Sequence, residues 1–491
     1  MKKIFARLCS VLVLSVFVSG IYAQEASESF TENDLTLSEA ESESENGESE
    51  AYDASTDKEN LGFLIIQNFG QPNDFVFAGL ETLFSNLTVS TVCNQLGWYS
   101  SSFCSPSDIL SNFTSPWIWD KDSFFKNQVL HPYMGATYFT YARANDLTFA
   151  QSVLYAAAGS LTWETLFADS TPSINDLITT SFAGSITGEM LHRLSFEASD
   201  LLPFMSWFIS PGEAATAFLK DDRAFRPSGY LYSADVFGGV SVKQLDFSKL
   251  NTNFLEAFDN ASFGGGADIV YGDPYGHNTW ELYDQFSIKT AYFTNIVDYN
   301  YFDAFLDGIF YSISLFDDSF LLTTAGITMD YDIINSTDLL LTQESVGGTW
   351  KMLCPLGSGG LTFDFEAGYS FLSQLSDAYT VNTAGTKIYS YRHGPCAKAG
   401  LSLYNPVIGK LCVNVFGTYL MNWPGQSDVI TDTLKGNSYL LHGKASIERT
   451  IYEGLAWGIG YTHYFQQTLY KNMDSQLLQN FFFSFYLKYT L

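Results

Sequence analysis

The sequence predicts a membrane β-barrel of about twelve antiparallel strands, preceded by a small three-helix unit and a disordered acidic N-terminal arm. Three observations carry this. From about residue 226 apolar and polar residues alternate in segment after segment. The last of these segments keeps its alternation to the final residue. Between residues 131 and 194 the apolar spacing is helical instead, with unusually many small residues.

The chain opens with Lys2, Lys3 and Arg7, then the apolar run from Val11 to Val18, then Gly20-Ile21-Tyr22-Ala23. Residues 1–23 therefore read as a secretory signal peptide cleaved after Ala23. Cys9 precedes most of the apolar run and lacks the small-residue context of a lipoprotein site. The remainder contains no clean apolar run long enough to span a bilayer as a helix. Residues 24–60 form a Glu/Ser tract with Lys58 as its one base. Such a tract cannot bury enough apolar surface to offset the entropy of ordering, so it is expected to be a solvated spacer. Deleting it is expected to leave folding intact.

The formal net charge of -29 argues against a nucleic-acid partner, since phosphates would be repelled. Five cysteines lie beyond the leader: Cys93, Cys104, Cys354, Cys396 and Cys412. None has CxxC spacing, so no zinc site is expected, nor any other metal or cofactor. An exported compartment permits a disulfide between Cys93 and Cys104, and the odd count leaves at least one thiol over.

Residues 61–225 read as a helical domain with its core at 115–195. The stretch FLIIQNF near its start has the composition of a strand, and the chain from there to Gln128 reads as a connecting segment. Trp117 and Trp119 are expected to anchor that segment on its neighbours. A first helix begins at Pro132, with His131 at or near its cap, and Gly135, Tyr138 and Ala142 on one face. Asn145-Asp146 is a turn. A second helix runs from about Leu147 to Phe167, with Ser152, Ala156 and Ser160 on a small face. Ser173 and Asp176 form a capping-box pattern that starts a third helix. Gly184 and Gly188 make a GxxxG face there, expected to meet the small face of the second helix.

The polar residues of this unit are the candidate site. Asn175 and Glu189 are fourteen positions apart and so share a face. Glu164 lies close in sequence to the start of the third helix. His131, Arg143, Glu164 and Glu189 can then cluster for general acid/base or ligand chemistry. The alternative is a set of buried ion pairs fixing helix register.

These motifs also occur together in a known family. Trp117, Trp119, Asp120, Asp122 and Asn127 form W-x-W-D-x-D-x-x-x-x-N. His131, Pro132, Tyr133, Gly135, Tyr138, Ala142 and Arg143 form HPYxGxxYFxxAR. Trp163-Glu164, then Pro172, Ser173, Asn175, Asp176 and Leu177, then Gly188-Glu189, come next in order. In this the chain resembles the bacterial family catalogued as domain of unknown function 3943. The resemblance implies an exported envelope protein and carries no reaction with it. Asn145-Asp146 stands where an Asn-Gly-like pair is expected.

In the barrel region, 226–491, Leu361 to Phe371, Leu455 to Tyr461, Leu321 to Tyr331 and Ile309 to Leu315 each give one apolar and one polar wall. At the terminus Phe481, Phe483, Phe485, Leu487, Tyr489 and Leu491 alternate with Ser484, Tyr486, Lys488 and Thr490. That resembles the carboxy-terminal signal of outer-membrane barrels, read by the barrel-assembly machinery, with Leu in place of the usual Phe. The expected location is the outer membrane of a diderm bacterium, with its lipids as partners; no oligomeric state is implied. There is no GxSxG, HExxH or phosphate loop, and His277-Asn278 and His393-Gly394 do not match an outer-membrane phospholipase. There is no EF-hand; Asp268 with Asp273, or Asp330 with Asp332, offer at most a weak calcium site at a loop, and most such pairs are simply solvated. The primary expectation is a structural or transport-related barrel with a helical plug or periplasmic cap. The alternatives are a lipid-modifying enzyme using the His/Glu cluster and a surface adhesin.

Overall fold

The computed structural model describes residues 72–96, 104–120, 122–168, 170–201, 203–220, 230–244, 261–275, 282–295, 300–318, 320–336, 339–381, 387–426 and 435–491. The signal peptide, the acidic arm, FLIIQNF and His277-Asn278 lie outside these residues.

The carboxy-terminal half is a closed barrel of twelve antiparallel strands. They are β1 Leu231–Lys243, β2 Ala261–Tyr271, β3 Gln285–Thr294, β4 Asn300–Asp318, β5 Leu321–Ser336 and β6 Leu340–Leu356. β7 Gly359–Val381, β8 Lys387–Asn405, β9 Gly409–Asn422, β10 Gly436–Tyr452, β11 Leu455–Tyr470 and β12 Gln476–Thr490 complete it. Each strand pairs with its sequence neighbours. β12 pairs with β1 from Asp235↔Thr490 to Lys243↔Phe482, which leaves no open edge. Short turns at 357–358, 406–408 and 453–454 close the end where the chain enters β1 and leaves β12. The strands are steeply staggered. The ladder from Asp235 through Asp268, Lys289, Phe305, Asp332, Gln343, Ser373 and Arg392 ends on Asn422, the last residue of β9.

Alternation sorts the side chains into two walls. Asp307, Lys398, Asn414, Ser484 and Tyr486 line an internal cavity of about 700 Å³. Val236, Ile327, Val413, Trp457, Ile459, Phe485 and Leu487 point outward and are exposed. The half of the lumen away from the short turns is filled by Phe293, Phe305, Ile334, Leu341, Leu375, Leu420, Leu440, Tyr464 and Phe482.

Among the described residues seven α-helices precede the barrel: α1 Pro72–Leu96, α2 Pro106–Thr114, α3 His131–Ala144, α4 Phe149–Thr162, α5 Ile174–Leu201, α6 Ser206–Ile209 and α7 Pro211–Lys220. The three helices expected from the sequence are α3, α4 and α5. The segment read as connecting contains α1 and α2. Its polar residues break any clean apolar run, but in α1 they fall on the buried side: Glu81, Thr82, Asn86, Thr88 and Ser90. α1 is in fact long and apolar enough to cross a membrane.

A π-turn at Lys126–Leu130 leads straight into α3, so His131 does not cap it. Thr148 and Gln151 form a full capping box on α4. Ser173 Oγ accepts the Asp176 N–H at 3.2 Å, but the Ser173 N–H donates to Glu164 Oε2 at 2.9 Å, so Glu164 completes the box. Asp146 ends α3 with φ of +59°, the left-handed conformation that an Asn-Gly pair also serves.

The glycine face of α5 meets α3 and not α4. A Cβ on Gly135 would lie 1.8 Å from the Thr180 carbonyl, one on Gly184 2.6 Å from Gly135 Cα, and one on Gly188 2.8 Å from the Phe139 ring. α4 brings its own Gly159 against Tyr138, and its Ser160 donates to the Asp176 carbonyl of α5. Cys93 and Cys104 are not joined by a disulfide; the Cys104 thiol donates to the Ala168 carbonyl at 2.6 Å.

The helical unit lies on the outer wall of the barrel. Tyr331, between the inward-pointing Asp330 and Asp332, donates to the Gln128 carbonyl at 2.7 Å. Phe149 stacks on Tyr283, and Phe182 meets Phe371 edge-on. Trp119 rests on Tyr391 and Trp423. α5 crosses the strands from β8 to β2 and places no residue in the cavity. Of the two expected placements, luminal plug or periplasmic cap, the described helices form no plug: they pack against the outside of the wall. The physical reason is that α5 carries apolar Ala183, Ile186, Met190 and Leu194 toward Phe286, Ala304 and Ile333 of the wall.

Candidate functional site

The polar motif residues of the helical unit separate into two sites. The first sits where the segment before α3, the start of α5 and β8 meet. Asp120 is its hub. Its Oδ1 accepts from Asn127 Nδ2 at 2.6 Å, Asn175 Nδ2 at 3.0 Å and Tyr391 OH at 3.0 Å. The Asp120 N–H donates to Asn175 Oδ1 at 3.0 Å. Asn175 Nδ2 also reaches Asp176 Oδ1 at 2.8 Å, and Asp176 Oδ2 lies 3.4 Å from His131 Nε2. His131 Nδ1 pairs with Thr180 Oγ1 at 3.2 Å. Tyr389 donates to the Asp122 carbonyl, and Lys126 pairs with Asp122 at 2.5 Å.

Burial pushes the Asp120 carboxyl up, but hydrogen bonds from Asp176, Asn127, Asn175 and Tyr391 outweigh it and hold the group below the usual carboxylate range. Burial raises Glu164, beside this hub, to about 7, against the opposing Ser173 N–H. The site thus mixes buried acids of different proton affinity, a buried imidazole and two tyrosine hydroxyls.

The second site lies further along α5. Glu189 is fully buried. It accepts from Arg143 Nε at 2.7 Å and Nη2 at 3.1 Å, and from Arg193 Nε at 2.9 Å. Arg193 continues to Asp284 Oδ1 at 2.9 Å and the Leu282 carbonyl at 2.7 Å, tying α5 to the loop before β3. His192 pairs with Glu213 of α7 at 2.9 Å.

The expected cluster of His131, Arg143, Glu164 and Glu189 therefore does not form as one site. Asp176, which touches His131, is thirteen positions before Glu189 on the same helix, a distance of about 20 Å. Asn175 and Glu189 do share a helix, but they serve different sites. Trp163 stacks on Phe167 away from the hub. Pro132 takes the second position of α3, and Gly135, Gly184 and Gly188 serve helix contact.

A third polar assembly fills the lumen. Lys398 Nζ lies 2.5 Å from Asp307, 2.9 Å from Asp332, 3.8 Å from Glu366 and 3.9 Å from Asp330. Asp307, Asp330 and Glu366 approach within 4.8 Å of one another, and the lysine ammonium sits among them. Six acidic residues and six lysines line the open chamber, and Asp330 and Asp332 add two further carboxylates at Lys398, so the assembly is acidic on balance. In the sequence Asp330 and Asp332 stand out only as a loop pair. The signal that could have found the assembly is strand parity, which places Asp307, Asp330, Glu366 and Lys398 on inward positions.

With this geometry established, the comparison with known proteins bears on the helical unit. Residues 116–202 match the family model Domain of unknown function (DUF3943). The DUF3943 segment contains the whole hub except its barrel tyrosines. Those were missed because nothing in the strand sequence says which helix residue will face them. No curated protein matches the chain in sequence. Among solved structures the NanC porin is similar over 52% of this chain and 100% of its own, at 12% identity and a TM-score of 0.26. The outer membrane channel DcaP of Acinetobacter baumannii is similar over 53% and 96%, at 8% identity and 0.23. The outer membrane protein OprD of Pseudomonas aeruginosa is similar over 54% and 66%, at 10% and 0.23. Likenesses this distant say nothing about the contents of the lumen or the DUF3943 hub.

Proposed function

We propose that the chain is an outer-membrane barrel of transport type, held shut in this structure and braced from outside by its DUF3943 unit. The observation that carries the reading is the lumen. A charged chamber extends from the short-turn end and stops at a block of apolar side chains. A barrel serving only as a wall needs no solvated charge inside it, because burying charges is costly even when they are paired. The outward row of apolar residues supports contact with lipid. Short turns at the end holding both barrel termini support a periplasmic position for that end. The closing strand β12 is the segment offered to the assembly machinery.

The lipid-modifying reading requires His131 beside Glu164 or Glu189, and Glu189 is engaged by two arginines instead. No observation favours adhesion. The test is conductance in planar bilayers. Phe305 and Phe482 belong to the block. The wild-type chain is expected to conduct weakly or not at all, and Phe305→Ala with Phe482→Ala to produce stable, larger steps. A double variant that folds and conducts no better than wild type would remove the transport reading and leave a structural one.

A further inference from the structure

The helical unit is built inside out for a water-soluble domain. Its buried side chains include Glu81, Asn86, Arg143, Glu189, His192 and Glu213. Its exposed large side chains between Asn73 and Gln95, themselves exposed near the two ends of α1, are Val76, Phe77, Leu80, Leu83 and Leu87, with Leu96 beyond them. α4 exposes only Ala150, Leu154, Ala158 and Leu161, and contains no charged residue at all. Phe204 and Phe208 continue the apolar surface. Water would reverse this arrangement, since it rewards burial of the leucines and exposure of the carboxylates.

Charge appears at the two ends of the bundle. Asp74 pairs with Lys220 at 3.5 Å where α1 begins and α7 ends. Asp108, Asp122 and Lys126 lie at the opposite end, where α3 and α5 begin. The apolar stripe from Val76 to Leu96 covers twenty residue steps, about 30 Å of helix, the thickness of a bilayer's hydrocarbon core. The bundle also spans the height of the barrel. Its first end is tied to Asp284 and Tyr230 near the short turns. Its other end is tied to Tyr389 and Tyr391 near the start of β8. The outer wall of the barrel carries exposed apolar residues of its own, among them Val236, Ile327, Val413, Trp457 and Phe485.

We propose that the helical unit is embedded in the bilayer beside the barrel, with α1 and α4 presenting their leucines to lipid acyl chains. The partner is the hydrocarbon of the membrane itself. The chain is then a composite membrane protein, with a strand wall on one side and a helical wall on the other. The polar network of the unit is sealed between them. α1 to α5 need neither lumen nor periplasm, and the wall residues they cover, among them Phe286, Ala304, Tyr331, Ile333 and Tyr391, are shielded from lipid by protein. This rests on the outer-membrane reading of the barrel.

The test uses the unmodified mature chain in phosphatidylcholine vesicles containing a phospholipid with a diazirine on its acyl chain. After irradiation, adducts are mapped by mass spectrometry. Adducts on the peptides carrying Leu80, Leu83, Leu87, Leu154 and Leu161, together with β9 to β11, are the expected result. Labelling of β9 to β11 without the helical peptides would overturn this proposal and leave the outer-membrane reading standing. Labelling of neither would overturn both. Disulfide-linked dimers through Leu83→Cys on α1, in place of lipid adducts, would also overturn it, in favour of self-association. A spin label on Leu83→Cys, in a background free of the native cysteines, gives an independent reading. Collision with oxygen and protection from a water-soluble nickel chelate are expected, and the reverse overturns the proposal.

Discussion

At Glu189 one carboxylate balances two guanidiniums in a fully buried position. Removing a partner from a buried ion pair leaves uncompensated charge, which costs about 3–5 kcal/mol. Glu189→Gln is therefore expected to be severe, because an amide keeps one acceptor but none of the charge. The check is protease protection of α3 and α5 in the assembled protein. A variant as protected as wild type would mean the arginines find other partners. At Glu164 the linkage is with protons. Its folded-state affinity is raised from 4.5 to about 7. The resulting stabilisation is complete below about 4.5 and is lost as pH rises through about 7. Protection of the segment around Ser173 should fall between about pH 4.5 and about pH 7. Glu164→Gln should flatten that dependence; an unchanged slope would assign it to another group.

Among the elements, the contact of α3 with α5 is the tightest. Gly135 and Gly184 face each other so closely that a Cβ on either meets backbone atoms of the partner helix. Backbone cannot swing aside as a side chain can, so Gly184→Leu is expected to overpack the contact by about 1–3 kcal/mol or more. Strand pairing is independent of this helix pair, so the barrel should still assemble while the helical unit becomes protease-sensitive. The measurement is limited proteolysis of membrane-assembled protein. Wild-type resistance in Gly184→Leu would rule out the close approach. Ser152→Leu on α4 offers a comparison, since the glycine face does not meet it.

For the molecule as a whole, ring closure of twelve strands removes every edge and makes unfolding strongly cooperative. Heat-modifiable migration on gels and recovery in the outer-membrane fraction are expected. Full-length protein recovered as a soluble species would contradict both the barrel's lipid-facing wall and the brace beside it. The brace also explains the buried Tyr271, Tyr331, Tyr389 and Tyr391 on the outward wall. Their hydroxyls would be poorly placed in hydrocarbon, but Tyr331, Tyr389 and Tyr391 donate to the segment between Asp120 and Gln128.

Local pattern was enough for the strand count, the inward and outward faces, the Ser173 cap, and the Asn145-Asp146 turn. Each depends on spacing along a few residues, and a strand's period of two or a helix's of 3.6 is written directly in the sequence. The DUF3943 motif was equally legible. What the chain alone did not disclose is which surfaces meet. Gly184 was bound to seek a small partner, but both α3 and α4 offered one. His131, Glu164 and Glu189 were all candidate neighbours until α5 proved long enough to hold them apart. α1 was hidden because its polar residues, read in a line, interrupt its apolar run; folding turns them inward and leaves the leucines outside. The placement of the helices on the outer wall was decided by tertiary packing alone. It depends on Tyr331, Tyr389 and Tyr391 of the barrel finding Gln128 and Asp120 two hundred or more residues earlier, and no local period records a contact of that separation.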